Sequence, residues 1–220
     1  MSLFRSSLRF LFRLYKSRAE EVIFWGRALA LALILIVVGF ACTGDGGAAV
    51  ADEPPCAEDC CLPERTVVDG EELFRRGVGV FRYWGFRVYT GALYAPISAS
   101  SRERILGEMK KKLVLCFHRT VSTDQFIERA EDLLIKNPKN DINRLRPLLN
   151  RLNGLYVPVT KGDSYAITFV PGSATMRLFY NDRELGSFSD ASFALAYFGI
   201  WLSDYSVSKR FTSELFGEEK

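Results

Sequence analysis

The sequence predicts an α+β domain in which one antiparallel sheet is covered on one face by helices. Three observations predict this class: strands and helices come in blocks, short turns join several of the strands, and two amphipathic helical stretches separate the blocks. The chain has 220 residues, of which 48% are hydrophobic. This length allows one domain with a proper core, preceded by a leader.

Residues 1–51 form a leader that differs in composition from the rest of the chain. The basic excess behind the net charge of +3 lies in residues 1–27, and an apolar run without charges follows over 28–42. Small residues ending at 49–51 (AVA) come next. This order is typical of a secretory signal, and the run is shorter than the roughly 20 residues that span a bilayer. An uncleaved anchor at 28–42 is the alternative, while a lipoprotein cleavage before Cys42 is disfavoured.

Either version of the leader predicts export of the domain to a periplasmic or extracellular space, because a basic flank stays on the inner side of the membrane. Residues 52–66 are then a polar linker with prolines and three of the five cysteines. A local disulfide is the favoured interpretation of Cys56, Cys60 and Cys61, because a zinc site would need a fourth ligand that the sequence does not offer. Cys116, in an apolar run, is predicted to be a buried small hydrophobic residue.

The globular pattern occupies residues 67–217 and begins with two strands. These strands are expected over 78–83 and 86–94, around a bend at Trp84 and Gly85. A helix is expected over 101–112, where the lysines at its end are interpreted as a solvated helix terminus.

The middle of the domain alternates between the two kinds of element. A short apolar strand is predicted over 113–118, and the capping box at 122–125 (STDQ) opens a helix that ends at Asn137. A second amphipathic helix is predicted over 141–153, with Pro147 inside it expected to kink or delay it.

The last third predicts a meander followed by two helices. Strands are expected over 164–170, 174–180 and 184–188, separated by turn residues. The stretch 190–202 is almost wholly apolar, but it is too short to span a membrane and predicts a buried core helix. A final helix is expected over 208–216, stopped by Gly217.

Composition and motifs exclude several classes of function. The chain has a single histidine, His118, so histidine-based metal clusters are excluded, and no metal or cofactor is predicted. No nucleophile elbow or phosphate-binding loop is present. Outside the leader the positive and negative charges balance, so the domain lacks the excess of basic residues that nucleic-acid binding needs. A membrane is expected to be a partner only through the N-terminal segment.

The first two strands combine glycines with aromatic rings in an unusual density. Side-chain alternation places Gly77, Gly79, Phe81 and Tyr83 on one face of the first strand. Glycine within a strand often marks the close approach of a ligand or of another backbone. The pattern therefore fits an apolar pocket lined by rings, and it fits ordinary core packing equally well.

Several motifs in chain order resemble the chalcone-isomerase-like family, with the likeness covering 67–217. The motifs are 77–80 (GVGV), 87–94 (RVYTGALY), 165–172 (YAITFVPG) with 185–186 (LG), and 193–202 (FALAYFGIWL) with 207–208 (VS) and 215–217 (LFG). The resemblance implies an open-faced β-sandwich with a helical layer and a cleft between them. Members of that family either cyclise a chalcone, with an arginine that stabilises developing negative charge, or bind fatty acids without chemistry.

The family's reaction centre is changed at every position that this resemblance maps. Phe81 stands where the family's arginine follows its Gly-x-Gly-aliphatic motif, and Arg82 should face the opposite side unless a bulge returns it. The threonine position falls on Tyr89, the tyrosine position on Phe126 and the asparagine position on Leu133. The cleft is therefore expected to be more apolar than that of the enzymes.

Three hypotheses follow, in order of preference. The first is an exported, non-catalytic binder of a small lipophilic molecule such as a fatty acid or polyphenol, with a carboxylate oriented by Arg82, Arg87 or Tyr89. The second is an isomerase that uses Arg82 and Tyr89 as catalytic residues, and the third is a structural or partner-binding envelope domain. The ligand-binding candidates are Phe81, Arg82, Tyr83, Arg87, Tyr89, Phe126 and Leu133.

Overall fold

The computed structural model describes residues 56–57, 60–99, 101–107 and 109–218, with only the backbone given for 56–57 and 60–61. The described residues all belong to one compact unit, Val50–Lys220. The predicted leader and the state of Cys56, Cys60 and Cys61 lie outside the described residues.

Within the described residues, one seven-stranded antiparallel sheet is accompanied by five helices. The strands of the sheet, in both chain and spatial order, are β3 (Arg65–Val68), β4 (Glu71–Tyr83), β5 (Phe86–Ala95), β6 (Lys111–Phe117), β7 (Ser164–Val170), β8 (Thr175–Tyr180) and β9 (Arg183–Ser189). A separate pair, β1 (Cys56–Ala57) and β2 (Cys60–Cys61), falls within the predicted linker. The helices are α1 (Arg102–Leu106), α2 (Thr123–Lys136), α3 (Ile142–Asn153), α4 (Ala191–Leu202) and α5 (Lys209–Leu215).

The sheet is a curled meander, in which each strand pairs with its sequence neighbours, and the helices cover one of its faces. The predicted α+β class and the expected antiparallel sheet are confirmed. The helix-covered side is called the helix face below, and the other side is called the opposite face.

Local sequence signals explain most helix boundaries. Ser122 and Gln125 form the predicted capping box at the start of α2, each side chain bonding the other residue's backbone N–H. Asp141 caps α3 in the same way that Asp190 caps α4, through a carboxylate that accepts from a backbone N–H three residues on. Pro147 lies inside α3, which nevertheless continues to Asn153.

The predicted helix over 101–112 is wrong in its second half. Helix α1 ends at Leu106, and strand β6 begins at Lys111. The ammonium group of Lys111 is fully buried and donates to the carbonyls of Ile105 (2.8 Å) and Gly107 (2.5 Å). The lysine thus stabilises the end of the helix, but it does so from a strand that the sequence pattern did not predict to start there.

The helix face carries the main core. Its buried strand residues point toward α2, α3, α4 and α5, and they include many of the domain's rings. The central members on the sheet are Tyr89, Leu93, Leu113, Leu115, Phe117, Tyr165, Ile167, Phe169, Met176 and Leu178.

The opposite face carries a smaller core, covered by a hairpin of the sheet itself. Strand β3 pairs only with β4, yet Thr66 accepts a hydrogen bond from Lys112 on β6 (3.2 Å), and Asp69 forms a bidentate ion pair with Arg177 on β8. The β3–β4 hairpin therefore bends over this face. The small core beneath it contains Leu62, Val68, Leu73, Ala92 and Tyr94.

Cys116 also lies on the opposite face, and it is buried as predicted. It is not a free thiol, because its sulfur is in a disulfide. The prediction of a simple hydrophobic residue was wrong in this respect. Among the helices that the structure describes, none is both long enough and apolar enough to cross a membrane.

Candidate functional site

A continuous chain of aromatic rings runs across the helix face, from β4 to α2. Phe81 stacks on Tyr89 with ring centroids 4.9 Å apart, Tyr89 meets the edge of Phe117 at 5.6 Å, and Phe117 meets Phe126 of α2 at 6.2 Å. Edge-to-face and offset arrangements at these distances are the favourable ones for aromatic pairs. The fold thus brings three of the predicted ligand-binding residues, Phe81, Tyr89 and Phe126, into one cluster.

Further rings from β7, the α3–β7 segment and the last two helices join this cluster. Phe126 lies 4.9 Å from Tyr156, which meets Tyr165 at 5.0 Å. Phe211 of α5 contacts Tyr89 at 5.5 Å, and Trp201 of α4 donates from Nε1 to the hydroxyl of Tyr89 at 3.2 Å. The result is a mostly apolar region between sheet and helices, with a few hydroxyl groups inside it.

The hydroxyl groups in this region satisfy one another or the backbone. Tyr156 and Tyr197 are hydrogen-bonded through their hydroxyls. The Tyr165 hydroxyl donates to the carbonyl of Val157 (2.7 Å) and accepts from its N–H (2.8 Å). Hydroxyl groups paired in this way could orient a polar end of a guest only by exchanging a partner.

Burial keeps these tyrosines neutral. Desolvation raises the pKa of Tyr165 to about 12, and it also raises the pKa of Tyr89, Tyr156 and Tyr197 well above the ordinary value of a phenol. A phenol with such a pKa is a poor base at physiological pH. The arrangement therefore supports binding and orientation better than proton abstraction.

The glycines of β4 and β5 accommodate a helix instead of leaving empty space. A Cβ atom at Gly77 would lie 2.2 Å from the carbonyl oxygen of Glu214, and one at Gly91 would lie 2.5 Å from the Phe211 ring. Gly79 likewise faces Phe211 and Glu214. The close approach is therefore that of helix α5, through its backbone at Gly77 and through side chains at Gly79 and Gly91, which is the packing alternative that the pattern left open. The glycines themselves do not make room for a guest.

Arg82, Arg87 and Tyr83 lie at the end of the β4–β5 hairpin, away from the buried rings. Both arginines are exposed and face each other across the two strands, while Tyr83 is half-buried. A bulge does occur beside Phe81, but the extra residue is Val88 on the partner strand. Phe81 consequently packs on the helix face, as strand phase predicted, and Arg82 remains exposed.

Leu133 occupies the buried side of α2, about two turns after Phe126. It is 5% exposed and belongs to the same core cluster as the rings. Tyr89, Phe126 and Leu133 thus all belong to the core between the sheet and the helices, at the positions to which the resemblance assigned the family's threonine, tyrosine and asparagine.

Sequence reasoning missed four residues that help to form this region. They are Tyr156, Tyr197, Trp201 and Phe211. Tyr197 and Trp201 are four residues apart in the apolar stretch that becomes α4. This spacing indicates that they share one side of the helix, so the sequence could have identified them as a pair. Tyr156 follows α3 in an irregular segment, and nothing in its local pattern indicates that its hydroxyl meets that of Tyr197.

Titratable clusters are sparse in the part of the chain that the structure describes. No three histidine, cysteine, aspartate or glutamate side chains there are placed to hold a metal ion. The single histidine, His118, is hydrogen-bonded to Thr90 Oγ1 at 2.7 Å on the opposite face.

Comparisons with known proteins point to one family. A family model described as chalcone isomerase-like matches residues 57–217, which is most of the chain. A crystal structure of a fatty-acid binding protein from Arabidopsis thaliana matches with a TM-score of 0.51 and 14% identity. That match covers 70% of this chain and 96% of the plant chain, and at this identity it shows a shared fold. A search of curated proteins found no match.

Proposed function

The chain belongs to the chalcone isomerase-like family, and from this membership we propose that its domain binds a small lipophilic molecule without transforming it. The observation that carries the proposal is the ring cluster on the helix face, in which the polar groups are neutral hydroxyls already paired with protein atoms. A fatty acid or a polyphenol fits such surroundings, because apolar walls supply affinity and a few polar groups supply orientation.

Two further observations support binding over catalysis. Catalysis of the isomerase type needs a cationic group beside the reacting oxygen, and the guanidinium of Arg82 is exposed at the hairpin end. The structural neighbour from Arabidopsis is itself described as a fatty-acid binding protein, which favours a fatty acid as the first ligand to test.

The proposed binding region lies between Tyr89 on the sheet and Phe126 and Leu133 on α2. A guest there would separate rings that now touch, so binding should stiffen the domain and raise its melting temperature. Because the hydroxyl of Tyr89 accepts from Trp201 Nε1, a bound carboxylate would compete for that N–H.

A titration with a fluorescent fatty acid tests the proposal on the full chain. Leu133→Trp should occupy the proposed region and weaken binding at least tenfold, because the side chain is buried there and an indole would compete with the guest for the same space. Ile135→Trp is the matched control, since Ile135 lies on the same helix and is 56% exposed. Equal binding by both variants, or no binding by the parent chain after delipidation, would contradict the proposal. Flavanone formation above the spontaneous rate would contradict its non-catalytic part.

Export of this domain is a second part of the proposal. The composition of residues 1–51 supports it, and so does the disulfide at Cys116, because such bonds persist mainly in oxidising compartments. Cell fractionation followed by N-terminal sequencing tests it. A mature chain that begins after Ala51 would indicate cleavage, an intact chain in the membrane would indicate an anchor, and a cytosolic chain with reduced Cys116 would contradict export.

A further inference from the structure

The tip of the β4–β5 hairpin exposes two large aromatic side chains to solvent. Trp84 is 74% exposed and Phe86 is 52% exposed. Among the described rings, Trp84 meets only the edge of Tyr83, at 6.4 Å. The fold therefore gains little from a tryptophan at this position, although it is among the costliest side chains to leave in water.

The backbone of the tip makes the tryptophan more unusual. Trp84 has φ of 51° and Gly85 has φ of 82°, as a two-residue hairpin turn of the I′ kind requires. A bulky residue with positive φ is an outlier, whereas asparagine and aspartate tolerate it. The other two tight turns of the sheet obey that preference, with Asp69-Gly70 and Asn181-Asp182. Only at this tip is a favourable turn residue replaced by an exposed ring.

Basic side chains surround the exposed rings. Arg82 and Arg87 face each other directly below the tip, and Arg119, which follows β6, places its guanidinium 5.3 Å from the centre of the Phe86 ring. Lys161 is exposed on the neighbouring loop, which a hydrogen bond from the Gly162 N–H to the Phe117 carbonyl fixes beside the end of β6.

One acidic residue, Asp163, lies on the same loop as Lys161, where its backbone carbonyl accepts from the Phe117 N–H. Asp163 accepts from Thr160 and Asn181 at the start of β7, and Asp182 lies in the β8–β9 turn. With neighbouring strands about 4.8 Å apart, the β8–β9 turn is roughly 15–20 Å from the β4–β5 tip. The charged side chains beside the exposed rings, among the described residues, are thus those of Arg82, Arg87 and Arg119.

We propose that the β4–β5 tip docks the domain on an anionic lipid surface, with Trp84 and Phe86 inserted at the level of the headgroups and with the neighbouring arginines on lipid phosphates. Aromatic side chains with one apolar side prefer that layer, and basic residues beside them add attraction to anionic lipid. The occupant is the bilayer surface. This docking is distinct from any anchoring by residues 28–42, and it does not depend on the proposed ligand.

Fluorescence quenching by brominated lipids tests the proposal on the full chain. The chain has three tryptophans, of which Trp201 is buried, so Trp25→Phe leaves Trp84 as the single exposed one. In vesicles of phosphatidylcholine with phosphatidylglycerol, emission from Trp84 should shift to the blue and be quenched by brominated acyl chains. In phosphatidylcholine alone the effect should be much weaker.

A relocated tryptophan supplies the matched control. Ile97 is 72% exposed just after the far end of β5, so Trp84→Phe combined with Ile97→Trp moves the reporter to the other end of the sheet. That reporter should not be quenched. Arg82→Gln should lower the ratio of membrane-inserted to free protein about fivefold at low salt, and added salt should reduce the difference from the parent.

Thermal unfolding separates docking from a structural role for the ring. Trp84→Asn should leave the melting temperature unchanged or raise it, because asparagine suits the positive φ. A clear fall would show that the ring serves the fold and would overturn the proposal. Quenching that is equal at positions 84 and 97, or equal in the two kinds of vesicle, would also overturn it. Concentration-dependent burial of Trp84 without lipid would assign the tip to a second copy of the chain instead.

Discussion

The two faces of the sheet solve the problem of buried polar groups in opposite ways. On the helix face, the hydroxyls of Tyr156 and Tyr197 bond to each other, and that of Tyr89 bonds to Trp201. On the opposite face, Tyr94 Oη and Thr168 Oγ1 are buried with no hydrogen-bond partner. A buried hydroxyl without a partner costs free energy, whereas a hydrogen-bonded one contributes a modest net stability. The same side-chain chemistry thus stabilises one face and burdens the other.

This difference follows from what covers each face. Helices bring polar side chains from distant parts of the chain, so partners for the tyrosines are available. The opposite face is covered by the β3–β4 hairpin, whose polar contacts go to charged groups such as Lys112 and Arg177. The helix face is therefore the specifically packed one. On the opposite face, replacing a buried polar side chain with an apolar one should leave the free energy of unfolding unchanged or increase it.

Removal of the central ring of the helix face should have the largest effect. Phe211→Ala empties a position that contacts both Phe81 and Tyr89, and should lower the free energy of unfolding by about 3–5 kcal/mol. Val78→Ala, on the opposite side of β4 and 37% exposed, should cost less than about 1 kcal/mol. Urea unfolding monitored by circular dichroism measures both, and similar losses would contradict the assignment of Phe211 to the core.

The close contact between Gly77 and helix α5 should be the next most sensitive feature. Gly77→Ala would place a Cβ against the backbone of Glu214, Leu215 and Gly217, and should cost about 1–3 kcal/mol or abolish the docking of α5. Gly172→Ala is the control, because nothing lies within 4 Å of the added atom. If both variants melt at the same temperature, the close contact with α5 is not present in solution.

One chemical change made on both faces sharpens the comparison further. Tyr156→Phe leaves the Tyr197 hydroxyl buried without its partner and should lower the free energy of unfolding by about 1–3 kcal/mol. Tyr94→Phe removes a hydroxyl that has no partner, and should raise the free energy of unfolding by up to about 1 kcal/mol. The two variants differ from the parent by one oxygen atom each, so equal signs would refute the contrast between the faces.

The smallest expected effect is a pH dependence on the opposite face. Burial lowers the pKa of Lys112 below its ordinary value, with the charge of Asp182 opposing the shift. Between the folded and unfolded pKa values the unfolded chain binds more protons, so the free energy of unfolding should rise with pH through that window. Lys112→Met should flatten this rise relative to the parent, measured below about pH 10 where tyrosines begin to titrate. The exposed Lys139→Met should leave it intact.

The sequence predicted the fold wherever local chemistry decides it. The capping box at Ser122, the turn at Asn181 and the shared face of Tyr165, Ile167 and Phe169 in β7 each depend on a few nearby residues, and each is present in the structure. The helix over 101–112 failed because its boundary depends on a tertiary contact. Lys111 lies in a strand and is buried against the carbonyls of α1, and no helical period encodes that contact.

The candidate site was predictable to the same extent. Strand phase placed Phe81 on the helix face and left Arg82 outside it, since alternation is a property of the strand alone. It could not reveal that Gly77 and Gly91 accommodate α5, because the helix that fills them comes from far along the chain. It also could not pair Tyr156 with Tyr197, whose meeting depends on how α4 is placed over the segment after α3.

The contact between strand β4 and helix α5 affects the order in which parts of the domain can form. The Val80 N–H donates to the carboxylate of Glu214, which joins residues 134 positions apart in the chain. Contacts of such high sequence separation form slowly, since a long loop must close before they repay its entropy. While the chain emerges from the ribosome, Phe81 and Tyr89 therefore stay uncovered until α5 has been synthesised. Under the proposed export, this delay would keep the chain able to pass through a translocation pore for longer than a chain whose core closes locally.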